Sequence, residues 1–481
     1  MRVLFVVNTI HFIDPLGIML LSALAKNNGH EVSLGILQKE DVLDKINKMK
    51  PNMVCYSTTT GEHTNYLKFN EEVKKRHKNI FTIMGGPHPT FFPKVVGKGG
   101  LDAICKGEGD EAFVELLNTL ENGGDAGNIP NILLANNGGK GAELRPFYQD
   151  LDRLPFPDRN IIYDITEMGE FPIKSFITTR GCPYHCTYCF NYSYQKLYEG
   201  KGKFLRRHSV ERVIAELHDV RSRYPLEFVK FYDDIFVYEI DDWLLRFVEL
   251  YKKEINLPFQ CYTRVNLVKE DIVKLLKEAG CRSVSMSIEA GNPEVREKLL
   301  KRKMTNDQVI KGFHLFHKYG ISTFCNNIVA LPNGGMKDDI ETLDLNIKAK
   351  VTYALFSSYY PYPGTELGEY CIDNKLVDGT FDIYPYYQNR SPLNCFDEKE
   401  KELLFNFSEL ATVVVAFPWM RNIAIRFLIH LPNAAVFLLY FFVQGYLLKT
   451  KIYPAKMGFW KSLKFFLMGI KWELLKRPIR V

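Results

Sequence analysis

Over its first 140 residues the chain alternates short apolar runs with stretches of helical spacing. Residues 3–7, 32–36, 53–57, 81–84 and 102–105 read as strands, and 17–25 repeats its apolar positions at helical intervals. Strands separated by helices imply βαβ units and a parallel sheet. The expected fold is therefore α/β, with a Rossmann-like (flavodoxin-like) domain over 1–140. Such sheets bind ligands at the carboxyl ends of their strands. The loops there are 8–17, Ser57 to Gly61, Gly85-Gly-Pro-His-Pro89 and Lys106 to Asp110.

A connector follows at 141–174, with prolines at 146, 155, 157 and 172. From 175 to 370 a strand-then-helix pattern recurs six times. The strands are 175–179, 228–232, 259–263, 283–288, 323–329 and 354–360, with helices such as 210–223, 243–254, 269–279 and 306–319 between them. This count predicts a partial, six-stranded TIM-like barrel, whose chemistry sits at the strands' carboxyl ends. Residues 371–481 form a C-terminal helical region.

Composition narrows the class without naming a reaction. The 481 residues are 46% hydrophobic and 25% charged, ordinary for globular domains. Ten cysteines over this length are no disulfide framework, and Cys55, Cys105, Cys261, Cys281 and Cys325 sit in apolar runs as small buried hydrophobes. The first residues form a strand rather than a signal peptide, so a reducing cytoplasm is expected.

The sharpest motif is the stretch 181–190, Gly-Cys-Pro-Tyr-His-Cys-Thr-Tyr-Cys-Phe. Its C-x3-C-x2-C spacing places Cys182, Cys186 and Cys189 around one small centre and leaves a fourth metal position open for substrate. A zinc knuckle would pair two cysteines with a second ligand pair, and none follows. Beyond this loop, three strand ends carry charge. They are Asp233 and Asp234, suited to a substrate ammonium or to a helix cap; Arg264, whose fork suits a carboxylate; and Ser287 with Glu289.

The cysteine loop, with Tyr188 just before its last cysteine, resembles the radical S-adenosylmethionine superfamily, and the resemblance runs from Met1 to about residue 370. It implies a 4Fe–4S cluster on Cys182, Cys186 and Cys189, with S-adenosylmethionine chelating the fourth iron and cleaved to methionine and a 5′-deoxyadenosyl radical. It further implies an oxygen-labile centre in an anaerobic setting and a reductant such as flavodoxin or ferredoxin. Carried over position by position, Asp233 or Asp234 meets the cofactor's amino group and Arg264 its carboxylate. Ser287 and Glu289 lie near its ribose, and 324–332 forms the adenine side, with Ala330 where the family usually has glycine.

The N-terminal loops resemble the cobalamin-binding domain that precedes many such cores. This implies cobalamin contacts from Ser57, Thr58, Gly85, Gly86, Pro87, His88, Gly107 and Glu108. The Asp-x-His-x-x-Gly cobalt-ligating signature is missing: His11 and Asp14 are present, but not in that order or spacing. His88 reads either as a ligand or as a loop histidine held by backbone bonds.

Past residue 400 the composition changes. An apolar run at 434–448 is about fifteen residues, short of the ~20 that span a bilayer. From Lys449 to Val481 nine Lys or Arg stand against the single Glu473, interleaved with Phe459, Trp460, Phe465, Phe466 and Trp472. This reads as an anchor, peripheral or monotopic at the inner face of the membrane, or else as a helical cap on the barrel. No nucleic-acid-reading motif accompanies the cations. The resemblance implies methyl transfer to an unactivated carbon, and the tail points to a lipid or other membrane-held apolar substrate. Radical cyclisation without methylation and a non-catalytic sensor are the alternatives.

Overall fold

The computed structural model describes residues 1–10, 12–138, 143–362, 364–377 and 390–476. The chain divides into two units, one chiefly Met1–Phe171 with Tyr194–Arg206, the other chiefly Pro172–Ser193 and the residues after Arg206.

The first unit holds one sheet. Its strands are β1 (Arg2–Val7), β2 (Glu31–Ile36), β3 (Met53–Ser57), β4 (Phe81–Gly85), β5 (Ala103–Cys105) and β6 (Ile132–Leu134), in the order β2-β1-β3-β4-β5-β6. The first five are parallel, and the 2-1-3-4-5 order is that of flavodoxin-like folds. Both faces are covered, which is why these strands read as unbroken apolar runs: Leu4, Val6, Val54, Tyr56 and Met84 are all buried in one cluster. The antiparallel edge strand β6, three residues long, falls outside the sequence expectation.

The second unit holds six parallel strands: β7 (Ile173–Phe176), β8 (Phe228–Phe231), β9 (Phe259–Tyr262), β10 (Cys281–Glu289), β11 (Ser322–Val329) and β12 (Tyr353–Ser358). They lie in sequence order from β7 to β12, an open partial barrel. Strand alternation sorts their side chains. Val229, Phe231, Cys261, Val284, Met286 and Phe356 enter the core beneath the helices, so Lys230, Gln260, Ser283, Ser285 and Tyr353 take the opposite, concave face. The first strand ends at Phe176, three residues earlier than the sequence suggests. There the backbone leaves the sheet because the Thr178 and Thr179 amides turn to the carboxylate of Asp233, each at 2.7 Å.

The C-terminal region divides into parts of different character. Helix Glu398–Ala416 packs on β12, with Leu404, Phe407, Leu410, Val413 and Val414 buried. This segment of the expected tail is therefore barrel core. Its acidic start is fixed by a reciprocal cap between Asp397 and Glu400. Helix Asn433–Leu447 continues through a wider turn to Ile452. The result is 20 residues with mean hydropathy 1.3, longer than the fifteen-residue apolar run and sufficient by length and composition to cross a bilayer. The helix packs on Glu398–Ala416, and its end closes the floor of the sheet: Ser283 Oγ donates to the Ile452 carbonyl at 2.6 Å. Tyr453 lies 5.8 Å from Phe228 and 4.9 Å from the Lys230 ammonium, measured to ring centroids. A last helix spans Phe459–Lys476.

Candidate functional site

The chemistry gathers at the carboxyl ends of β7 to β11. The cysteine loop follows the turn held by Asp233, and Gly181 at φ 95° reverses the chain into it, a conformation open to glycine. Cys186 is buried, Cys182 and Cys189 are partly exposed, and all ten cysteines are free. Burial raises the Cys182 thiol and pushes that of Cys189 up to about 12, so neither ionises without a metal to displace its proton. Among the described residues no three His, Cys, Asp or Glu side chains converge on a single metal-ion position.

Two cations face the loop. Arg264 Nη1 lies 3.6 Å from Cys186 Sγ, its guanidinium stacked 3.9 Å over the Tyr184 ring. Arg302 Nη1 lies 3.9 Å from the same sulfur. Positive charge beside buried thiols favours their thiolates, the form in which cysteine binds iron. The Nε of Arg264 is buried with no partner, a donor held ready for an acceptor. The donor set thus fits a thiolate-bound cluster with a carboxylate-bearing ligand beside it.

The adjacent carboxylates have different tasks. Asp233 is buried and accepts four hydrogen bonds, from the amides and hydroxyls of Thr178 and Thr179. Burial outweighs these bonds and pushes its carboxyl up to about 7. It clips the entry to the loop, with three of the four bonds on Oδ1 and one on Oδ2. Asp234 is exposed at the rim and bonds Asn191 and the Gly181 amide. No helix starts there, which removes the helix-cap reading; the next begins at Asp242, capped by Asp241.

Glu289 ends β10 in the left-handed region, φ 67°, where the register with β11 slips. A non-glycine residue held there stores strain, as at many ligand sites. Tyr188 donates to Glu289 Oε1 at 2.8 Å, and Arg302 joins them through its 3.2 Å bond to the Tyr188 hydroxyl and its 2.7 Å bond to the Ser287 carbonyl. The sequence reading omitted Arg302. Its signal is an arginine following the Glu289-Ala-Gly291 strand end, hidden in a basic stretch. Ala330 also adopts φ 54°, and its amide donates to the buried Asp339 carboxylate at 3.2 Å. A cavity of about 210 Å³ opens beside it, lined by Ala290, Asn292, Ile328, Leu331, Asn333 and Asp338.

Comparison with known proteins places these observations. Residues 176–345 match the radical SAM superfamily and residues 3–117 the B12 binding domain. An uncharacterised methyltransferase of Pyrococcus horikoshii is 30% identical, over 76% of this chain and 79% of its own length. The chain belongs to the cobalamin-dependent radical S-adenosylmethionine methyltransferase family. The hopanoid C-3 methylase of Methylococcus capsulatus is 26% identical over 74% of this chain and 68% of its own. The radical S-adenosylmethionine methyltransferase TsrM from Kitasatospora setae shares the fold at a TM-score of 0.64, with 18% identity over 78% of this chain and 76% of that one. The cofactors of this radical S-adenosylmethionine enzyme are a 4Fe–4S cluster, S-adenosylmethionine and cobalamin.

In the cobalamin-binding unit, the residues from Ser57 to His88 come together. Gly86 has φ 98°, and a side chain on it would meet the Thr58 carbonyl at 2.7 Å, so this glycine lets the two loops approach closely. His88 is buried, stacked between His63 at 3.6 Å and Phe92 at 4.9 Å, with Nδ1 3.3 Å from the Thr60 hydroxyl. Gly107 makes room for Tyr198, whose hydroxyl accepts the Glu108 amide. The Glu108 carboxylate is engaged by Arg206 at 2.7 and 2.9 Å and by the Tyr148 amide, which gives it a structural task. Asp14 accepts the Tyr163 hydroxyl, and His11 lies outside the described residues.

Proposed function

We propose that this enzyme methylates an unactivated carbon of a lipid-type substrate presented at a membrane surface. When bound, its cofactors supply a low-potential electron, a hydrogen-abstracting deoxyadenosyl radical and a transferable methyl group. The chain's own residues bind and orient. Arg264, with its buried unpaired Nε, grips the methionyl carboxylate, and Asp234 accepts from the ammonium. Glu289 and Ser287 receive the ribose hydroxyls, with Tyr188 and Arg302 fixing the carboxylate. The loops from Ser57, Thr58, Gly85, Gly86, Pro87 and His88 hold the corrin.

The observation that carries the substrate class is the exposed aromatic and apolar ridge of the C-terminal helices, with Phe442, Tyr446 and Trp460 all open to solvent. A relative named for methylating hopanoids, a lipid class, points the same way.

The test supplies reduced, cofactor-loaded protein with methyl-labelled S-adenosylmethionine and a detergent-dispersed lipid extract. The expected products are 5′-deoxyadenosine, S-adenosylhomocysteine and a labelled lipid. Deoxyadenosine without a labelled product would favour cyclisation, and neither product would leave a sensor. Alanine at Cys182, Cys186 and Cys189 should abolish both iron content and turnover, whereas Cys281→Ala, buried behind the sheet, should leave both intact.

A further inference from the structure

Helix Asn433–Ile452 meets the length and composition needed to cross a bilayer, but its packing forbids it. One edge, Val436, Phe437, Phe441, Leu447 and Ile452, is buried, with Val436 1% and Ile452 0% exposed. That edge rests on helix Glu398–Ala416 and on the floor of the sheet. The supporting helix opens with Glu398, Lys399, Glu400, Lys401 and Glu402 and sits in the core behind β12. It cannot follow its neighbour into hydrocarbon, where charges and loosely paired backbone are excluded.

The opposite edge is bare. Leu438, Phe442 and Tyr446 recur every four residues, one stripe of the helix, at 55%, 59% and 61% exposed. Phe466 of the last helix packs 5.6 Å from Phe441 and 6.3 Å from Phe442, so the two helices share one surface. To it the last helix adds the exposed Phe459, Trp460 and Leu467. Charge selects the partner. Between residues 410 and 472 there is no Asp or Glu, and there are eight Lys or Arg. Of these, Lys449, Lys451, Lys456, Lys461, Lys464 and Lys471 are exposed around the apolar ridge. Lysines flanking an aromatic stripe suit the headgroup layer of an anionic bilayer.

We propose that helix Asn433–Ile452 lies flat in the headgroup region of an anionic bilayer, seated by Leu438, Phe442, Tyr446 and Trp460, instead of crossing it. The proposal deepens the lipid-substrate reading and rests on it only for its purpose.

The holoprotein should float with phosphatidylcholine vesicles containing one-third phosphatidylglycerol at low salt, and at least tenfold less with phosphatidylcholine alone. A Phe442→Asp, Tyr446→Asp variant should lose binding by a similar factor while keeping its iron content and deoxyadenosine formation. Orientation is read by introducing one cysteine at a time, Asn433→Cys or Lys451→Cys, in a Cys395→Ser background and following labelling of that site by peptide mapping, since Cys182 and Cys189 are also partly exposed. A membrane-impermeant maleimide outside sealed vesicles should modify both equally. Protection of one site would mean a crossing helix and overturn the proposal. So would a holoprotein that ignores anionic vesicles, or one whose ridge is buried in a dimer. The methylation assay uses detergent-dispersed lipid and needs no bilayer, so its failure is distinguishable from failure here.

Discussion

The carboxylate of Asp233 accepts both the amide and the hydroxyl of Thr179, at 2.7 and 3.1 Å, and thereby sets where the first barrel strand ends and the cluster loop begins. Asp234 is next in sequence and faces the rim. The two should respond differently to the same change. Asp233→Asn turns a buried amide donor toward two backbone donors, costing about 1–3 kcal/mol, and should lower iron occupancy together with the melting temperature. Asp234→Asn should retain iron and stability but weaken S-adenosylmethionine binding, read by isothermal titration.

Arg302 touches the Cys186 sulfur, the Tyr188 hydroxyl and the Ser287 carbonyl. Residues that support metal ligands in this way typically cost 10–100-fold in activity when lost. Arg302→Met should reduce deoxyadenosine formation within that range and lower the cluster's reduction potential, because a cationic N–H beside a thiolate favours the reduced state. The potential is measured by spectroscopic redox titration. An unchanged potential would confine Arg302 to orienting Glu289.

At Ala330 the left-handed backbone costs roughly 1–2 kcal/mol for a residue with a Cβ. Ala330→Gly should therefore fold and turn over at least as well as the parent. Asp339→Asn, which disturbs the carboxylate accepting the Ala330 amide, should raise the KM for S-adenosylmethionine more than it lowers kcat. Initial-rate kinetics on both variants check this.

His88 yields a pH dependence. Burial, aided by His63 and Lys98, holds its imidazole down at about 3, against about 6.5 when free. As pH falls through 6.5 the unfolded chain takes up a proton that the folded ring refuses. The stability of the neutral ring is complete above about 6.5 and is lost progressively toward about 3, by up to ~1.4 kcal/mol per pH unit. The melting temperature of the full chain should fall between pH 7 and 5, and His88→Phe should flatten that slope.

Much of this architecture was legible from pattern alone. The strands of both sheets announce themselves as apolar runs because they are covered on both faces, and the cysteine spacing exposes the cluster loop. Three features stayed hidden, for physical reasons. Asp233 and Asp234 look alike because the partners that separate them, Thr178 and Thr179, lie some 55 residues upstream. Arg302 follows an irregular turn in a run of lysines and arginines that reads as a solvated face. Helix Glu398–Ala416 shares its apolar composition with the exposed helices after it, and composition cannot tell a core from a surface ridge.

The bond from Ser283 to the Ile452 carbonyl joins positions 169 residues apart. During synthesis the strand bearing Ser283 emerges long before the segment that closes its floor. The cluster loop, encoded earlier still, then waits on a scaffold whose underside is open. Contacts between positions so far apart in sequence are the slow ones to form, so closing the floor of the sheet is expected to be a late event in refolding. A chain cut between helix Glu398–Ala416 and Tyr453 would lose the acceptor of Ser283, a folding defect before it was a membrane-binding one.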